Sequence, residues 1–524
     1  MTCSKQTLNP KAKLPCIFLV FQVIAPILFA AGRSNWVFFD ITVGIEHFTF
    51  MLLWLMIINC FVLTTLSALS LYTKDTANKK SFKISLGISG FISALTFIYG
   101  FIYSTALLID ESSHVCQLYL RESLIPAFFL IAVPFMAIFW FKLPCKAKRV
   151  TSAAAVTITL LIGLTYLVPV TPYKITSEPM VIDSGKDYSV VFSTNDEGTG
   201  YVEYTYEGKE YKRYDAIGGK KRTDSMIHSI SVPYEHLKNN TYKVGSVRVI
   251  ESYSYGSRLG KEVISEDYTL KVNDSENQQW LVISDWHTML DTAYTAIDYL
   301  GEYDSVVLLG DATPGVDFEQ QVVRNIVQFG GEVSKGTKPV LYVRGNHETR
   351  GDYASELNSA LGLDEFYYTA DIGDYSFVIL DSGEDKDDSH PEYGGTTDYN
   401  TYRADMIDWL SDIEATNDKV ISLCHAWNIS EVETELSDKG WQELDRIGTR
   451  LMISGHYHQC RVLGSGDERE QEIFSKYPDI AGYLDGGKSG KNFIATKMTL
   501  SPAGIDMLSI NNFGETILEA SYEW

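Results

Sequence analysis

The sequence predicts a multi-domain chain: a five-helix transmembrane bundle over residues 1–173, a fibronectin III-like β-sandwich over 174–275 and an α/β layered domain over 276–524. Three observations predict it. Five apolar stretches crowd the first 173 residues. The next segment alternates apolar and polar residues between turn residues, and beyond 275 short apolar runs alternate with helical patterns. A single domain is excluded, since 524 residues exceed the ~250–300 at which one core stops growing.

The stretches at 14–31, 48–72, 84–109, 123–141 and 151–170 each approach the ~20 residues a helix needs to span a hydrocarbon core. The second, FTFMLLWLMIINCFVLTTLSALSLY, has neither charge nor polar face. The first ends without a small-residue cleavage site, so it reads as a retained span rather than a signal peptide. Basic residues alternate across the loops: Lys5, Lys11 and Lys13; Arg33; Lys74, Lys79, Lys80 and Lys83; Arg121; then Lys142, Lys146, Lys148 and Arg149. By the positive-inside rule the N-terminus is expected in the cytoplasm. The chain is then a multi-pass protein of the cell membrane, with the lipid bilayer as a partner and the part after residue 173 extracytoplasmic.

Charge divides at the same place. Residues 1–173 balance at +7 and 174–524 at −30, within a net −23. So acidic a segment excludes nucleic acid as a partner, because a phosphate backbone requires a basic footprint. Of seven cysteines only Cys424 and Cys460 follow residue 173, which excludes a disulfide scaffold there. Both read as buried thiols, on neighbouring strands that would let them pair. Within 174–275, DYSVVFST, GYVEYTYEG, SISVPYE and YKVGSVRVIES read as short strands. Tyr242 suits a tyrosine corner or an exposed strand position, and His228 and His236 read as isolated and solvated.

In the last segment WLVIS, SVVLLG, PVLYV, SFVILDS, KVISLCH and RLMISGH read as strands, separated by helices such as TAYTAIDYL and YRADMIDWLSDIE. Ligands of such sheets lie beyond the strand ends. Those loops hold Asp285 and His287; Asp311; Asn346, His347 and Glu348; His425; and His456 and His458. Five of the ten histidines fall there, all expected at one edge of one sheet. Packing does not explain that concentration. Imidazole and carboxylate suit Zn, Fe or Mn, and a pair of ions needs one carboxylate able to bridge.

The blocks are D-x-H at Asp285–His287, G-D at Gly310–Asp311, G-N-H-E at Gly345–Glu348, the lone His425, and G-H-x-H at Gly455–His458. In order and spacing they resemble the calcineurin-like metallophosphoesterase superfamily, and a sandwich ahead of them is similar to the layout of purple acid phosphatases. The resemblance implies that Asp285, His287 and His458 hold one metal and that Asn346, His425 and His456 hold the second, with Asp311 bridging. It implies His347 as the catalytic, non-ligand histidine facing the leaving group. The cofactors would be two divalent or Fe-type ions (Mn, Zn or Fe), and the reaction hydrolysis of a phosphoester substrate by a metal-bridging hydroxide. Membrane attachment makes envelope or lipid-linked phosphates attractive substrates.

One departure matters. Purple acid phosphatases place an iron-bound Tyr three residues after the bridging Asp, where this chain has Pro314, so an Fe(III)–phenolate site is not expected. Many relatives carry a carboxylate or Asn there, and its absence leaves Asp317 and Asp381 as candidates to orient His347. The acidic stretch 381–395 reads as a loop near the site, with His390 and Tyr393 facing substrate or solvent. GYLDGGKS at 482–489 matches a phosphate-loop pattern but lacks the strand and helix that motif requires, so it reads as a hairpin. The competing class is a non-enzymatic surface receptor or adhesion protein built on a phosphatase-like domain. An intact ligand set argues against it.

Overall fold

The computed structural model describes residues 172–524, except 218–220, 254–255 and 431, together with Ile84 and Ile88, which are helical and exposed. The early strands are β1 (Met180–Asp183), β2 (Tyr188–Tyr206), β3 (Lys209–Tyr214), β4 (Ser225–Val232), β5 (Thr241–Tyr253) and β6 (Gly256–Ile264). Then come β7 (Gln278–Ile283), β8 (Ser305–Leu308) and β9 (Pro339–Tyr342). A second sheet is built in chain order from β10 (Tyr368–Ile372), β11 (Tyr375–Leu380), β12 (Lys419–Cys424), β13 (Thr449–Ser454) and β14 (Ala481–Leu484). The chain returns to the first sheet through β15 (Asn492–Ser501), β16 (Gly504–Asn511) and β17 (Thr516–Glu523).

The first sheet runs β17-β16-β15-β7-β8-β9-β1-β2-β5-β6, with β3 and β4 also paired to β2. Its centre, β7 to β9, is parallel and nearly all apolar, as strands covered on both faces must be. In the second sheet the period of two sorts the side chains. Phe377, Ile379, Ile421, Leu423, Leu451 and Ile453 belong to the core shared with the first sheet, where Trp280 and Phe377 meet at 4.5 Å between ring centroids. Val378, Leu380, Val420 and Met452 belong to a second core with residues of the helices Tyr399–Asp412, Thr434–Arg446 and Glu468–Lys476. Against the first sheet lies Leu290–Leu300, which buries Ala293, Ala296, Ile297 and Leu300, the i, i+3, i+4, i+7 stripe of an amphipathic helix.

Two expectations are corrected. Among the described residues no helix is long and apolar enough to cross a membrane. The longest, Tyr399–Asp412, has 14 residues, short of the ~20 a spanning helix needs. The described residues therefore give the expected five-helix transmembrane bundle no support, and the multi-pass location and extracytoplasmic placement inferred from it are not carried further. The apolar stretches at 14–31, 48–72, 84–109, 123–141 and 151–170, with their loop charges, lie outside the described residues, Ile84 and Ile88 apart. The strands of 174–275, secondly, do not close into a free-standing fibronectin III-like sandwich. Through β1, which pairs in parallel with β9 at Val181–Pro339 and Ile182–Val340, they continue the α/β sheet.

Three side chains of this region depart from their expected surroundings. Tyr242 is buried and its hydroxyl donates to the Gly336 carbonyl at 2.7 Å, so it pins β5 to the α/β part instead of forming a corner. His228 is fully buried rather than solvated, with Nε2 3.0 Å from Ser246 Oγ and Nδ1 3.5 Å from Asp215. His236 stacks on Tyr206 at 4.2 Å. Cys424 and Cys460 are both free thiols, the former buried.

One buried acid makes stability depend on pH. Asp183 accepts from the Gly185 N–H at 3.0 Å and from the Tyr234 hydroxyl, but burial prevails and pushes its carboxyl up to about 6. Its unfolded value is ~3.9. Folding thus favours the neutral form: the contribution is complete below pH ~4 and is lost as pH rises through about 6. Across that window unfolding free energy should fall by about 3 kcal/mol from this group alone. Urea titrations of Asp183→Asn should show the slope flattened.

Candidate metal centre

The parallel strands of both sheets end at a common edge. Asp285 and His287 follow β7, Asp311 follows β8, and Asn346 and His347 follow β9. His425 follows β12, and His456 and His458 follow β13. Two packed sheets, not one as expected, deliver the loops. The turns are tight: Asp285, His287, Asp311, His456 and His458 all have positive φ, between 36° and 68°. Such strain persists only where surroundings enforce it, and it clusters at functional sites. At Gly345 a Cβ would sit 2.2 Å from Asp311 Oδ1, so no larger residue allows that loop so close.

Three groups of side chains each bring their ligand atoms within 4.8 Å: Asp285, His287 and His458; His287, Asp311 and His347; and Asp311, His425 and His456. Asp311 Oδ2 lies 3.2 Å from His425 Nε2, 3.7 Å from His287 Nε2 and 3.8 Å from His347 Nε2. Asp285 Oδ1 lies 3.3 Å from His458 Nε2 and 3.9 Å from His287 Nε2. Asn346 Oδ1 is 3.1 Å from His456 Nδ1. Ligands at ~2.1 Å from one ion stand roughly 3–3.5 Å apart, so these spacings suit metal binding. The other oxygen of each Asp holds backbone: Asp285 Oδ2 accepts from the His456 N–H at 2.9 Å and Asp311 Oδ1 from the His347 N–H at 3.0 Å.

Two atoms test the fit directly. Asp285 Oδ1 and His425 Nε2 are buried without any hydrogen-bond partner, a costly state that a cation would relieve. The Leu309 carbonyl, 2.7 Å from His425 Nδ1, can only accept, which puts the proton on Nδ1 and leaves the Nε2 lone pair for a metal. The electrostatics agree on a strongly anionic pocket. Burial alone would lower His425, yet the Asp311 carboxylate beside it raises it to about 10, while Asp311 itself is held well below the usual carboxylate range. Burial takes His287 down to about 4, into the neutral form that coordinates. A proton on His425 Nε2 competes with a cation, which makes metal uptake pH-dependent.

Around the ligands lie residues to which sequence reasoning assigned no role. Glu348, fully buried, accepts from the N–H groups of Asp311 (2.8 Å), Ala312 (2.6 Å) and Gly345 (2.9 Å), tying two ligand loops together. Burial, then Asp311, pushes its carboxyl up to about 7. Asp485, in the 482–489 stretch, accepts from Ser284 Oγ at 2.8 Å, and the Lys488 N–H donates to the Asp285 carbonyl at 3.2 Å. That stretch joins β14 to a short strand, Gly487–Ser489, paired with β15, and no helix follows it. Neither Asp317 nor Asp381 orients His347. Its Nδ1 meets the backbone carbonyl of Pro314 at 3.0 Å, whereas Asp381 is engaged by Arg344 and Tyr402. Tyr393 turns inward, donating to Glu384 at 2.9 Å.

Residues 280–460 match the family model of the calcineurin-like phosphoesterases. No curated protein matches the chain. Among solved structures it is similar to a purple acid phosphatase from yellow lupin (Lupinus luteus) seeds, with 13% identity over 66% of this chain and 74% of that one at a TM-score of 0.45. It is also similar to PhoD, with 12% identity over 67% and 90% at a TM-score of 0.41. A phosphoesterase of E. coli, Yfce, aligns over 47% of this chain and 100% of its own length, with 14% identity and a TM-score of 0.24. With the family match and the buried Asp–His cluster on one footing, the chain contains a calcineurin-like metallophosphoesterase domain and is a metal-dependent phosphoesterase.

Proposed function

We propose that the cluster is a dinuclear centre hydrolysing phosphate esters, with residues 276–524 carrying the catalysis and 174–275 forming a wall beside them. The observation that supports it most is Asp311, a buried carboxylate shared by two of the three ligand groups, as a bridging ligand must be. Asp285, His287 and His458 would hold one ion and Asn346, His425 and His456 the other, with Asp311 shared between them; the donor set suits Mn, Zn or Fe. When bound, the pair supplies Lewis acidity and a water-derived nucleophile at neutral pH. The chain's own residues do the rest. His347, its Nδ1 proton tied to the Pro314 carbonyl, directs Nε2 toward the cluster and hands a proton to the departing ester oxygen. Glu348 keeps the Asp311 and Asn346 loops in register.

The full chain, loaded in turn with Mn, Zn and Fe, should turn over at least one member of a panel of aryl phosphates, phosphodiesters and pyrophosphates, and a chelator should abolish it. Metal-loaded protein that turns over none of them would favour the non-enzymatic receptor or adhesion reading.

A further inference from the structure

Three residues beyond His347, Arg350 occupies a position that metal binding does not explain. Its Nη1 lies 3.3 Å from both ring nitrogens of His347. Equal distances to the two nitrogens place that amino group over the imidazole face, and the Nδ1 proton is already committed to Pro314. The contact is therefore made by the Nη1 amino group to the ring face, not to a free lone pair in the ring plane. Arg350 is held there from behind. Its Nε and Nη2 both donate to Glu384, the latter at 3.0 Å. Glu384 is 3% exposed and is fixed by Tyr393 Oη (2.9 Å) and Thr349 Oγ1 (3.2 Å). Beneath this loop the buried Arg403 donates to the carbonyls of Ser382 (3.1 Å) and Glu384 (3.3 Å).

The guanidinium has five N–H bonds. Glu384 takes two, leaving both on Nη1 and one on Nη2, the last with the Asp385 carboxylate 3.7 Å away. The side chain is 33% exposed. An ordinary surface ion pair has no need of a buried acid partner, and none to lie on the imidazole that faces the reacting ester.

We propose that Arg350 is a specificity-determining residue of this site: its Nη1 edge binds a non-bridging phosphoryl oxygen and selects phosphate monoesters over diesters. The proposal rests on the reading of the cluster as a phosphoesterase centre. A monoester presents three non-bridging oxygens sharing up to two negative charges. A diester presents two sharing one, and where the third would be it carries an esterified oxygen with its substituent. A rigid donor edge beside the ligand cluster stabilises the extra charged oxygen and meets the diester's substituent instead.

The test compares nitrophenyl phosphate with bis-nitrophenyl phosphate on the full metal-loaded chain, alongside calorimetric binding of inorganic phosphate. The native chain should prefer the monoester. With Arg350→Ala, kcat/KM for the monoester should fall roughly 10–100-fold more than for the diester, the worth of a charge-assisted hydrogen bond, and phosphate binding should weaken to a similar degree. Arg350→Lys, which keeps the charge and the Glu384 partner but loses the planar edge, should fall between, with metal content as in the native chain. Equal losses on both esters with unchanged phosphate affinity would overturn the proposal and leave Arg350 a loop anchor. If neither these esters nor any other member of the panel turns over, the phosphoesterase reading fails, and phosphate affinity still decides on Arg350: unchanged in both variants, it overturns the assignment.

Discussion

Asp311→Asn is expected to remove metal and rate together. Asp311 is 2% exposed, and its Oδ2 lies within 3.8 Å of imidazoles from three different loops. An amide keeps the shape and one acceptor but loses the charge that brings two cations close to each other. Even outer-shell changes cost ~10–100-fold in metal affinity or activity, so a bridging ligand should cost roughly 10²-fold or more. Metal stoichiometry by elemental analysis, measured with kcat on the same preparation, checks it. The backbone should survive, because Glu348 holds the residue 311 N–H whatever the side chain. A variant that keeps both metals would sink the bridging role.

His347→Ala is expected to separate what Asp311→Asn joins. The imidazole is more exposed than Asp311, and its partners are a backbone carbonyl and a guanidinium. Both metals should remain while the rate falls by roughly 10²–10⁴, the usual worth of a general acid. The loss should also depend on the leaving group. Nitrophenolate departs with little protonation and should suffer least, whereas an alkoxide needs the proton and should suffer most. Metal depletion matching that of the Asp311 variant, or equal losses on aryl and alkyl phosphates, would refute the division of roles.

The Asp, Asn and His blocks that the structure brings to one edge were legible in the sequence because each is local. A short apolar run ends, a glycine permits the turn, and a carboxylate or imidazole stands directly after it; Gly310–Asp311 and Gly455–His456 are of this form. Strand identity was legible for the same reason, since WLVI, SVVL and PVLY can only be strands buried on both faces. Alternation likewise showed strands in 174–275 but not that β1 would pair with a strand far along the chain.

By itself, then, the sequence determined the order of the strands, the chemistry of the donors and the class of reaction they suit. Only the tertiary structure decided that two sheets share the site edge, that His228 is buried, and that the proton of His347 goes to Pro314. It also decided that Glu348, Asp485 and the Glu384–Arg350 pair brace the ligand loops. The physical reason is common to all of these. A lone His, Glu or Arg is as compatible with water as with burial until its partners are in place. Those partners lie on other elements, as with Glu348 and the Asp311 N–H or His425 and the Leu309 carbonyl, 37 and 116 residues apart. Local pattern carries the residue types; long-range packing alone pairs them.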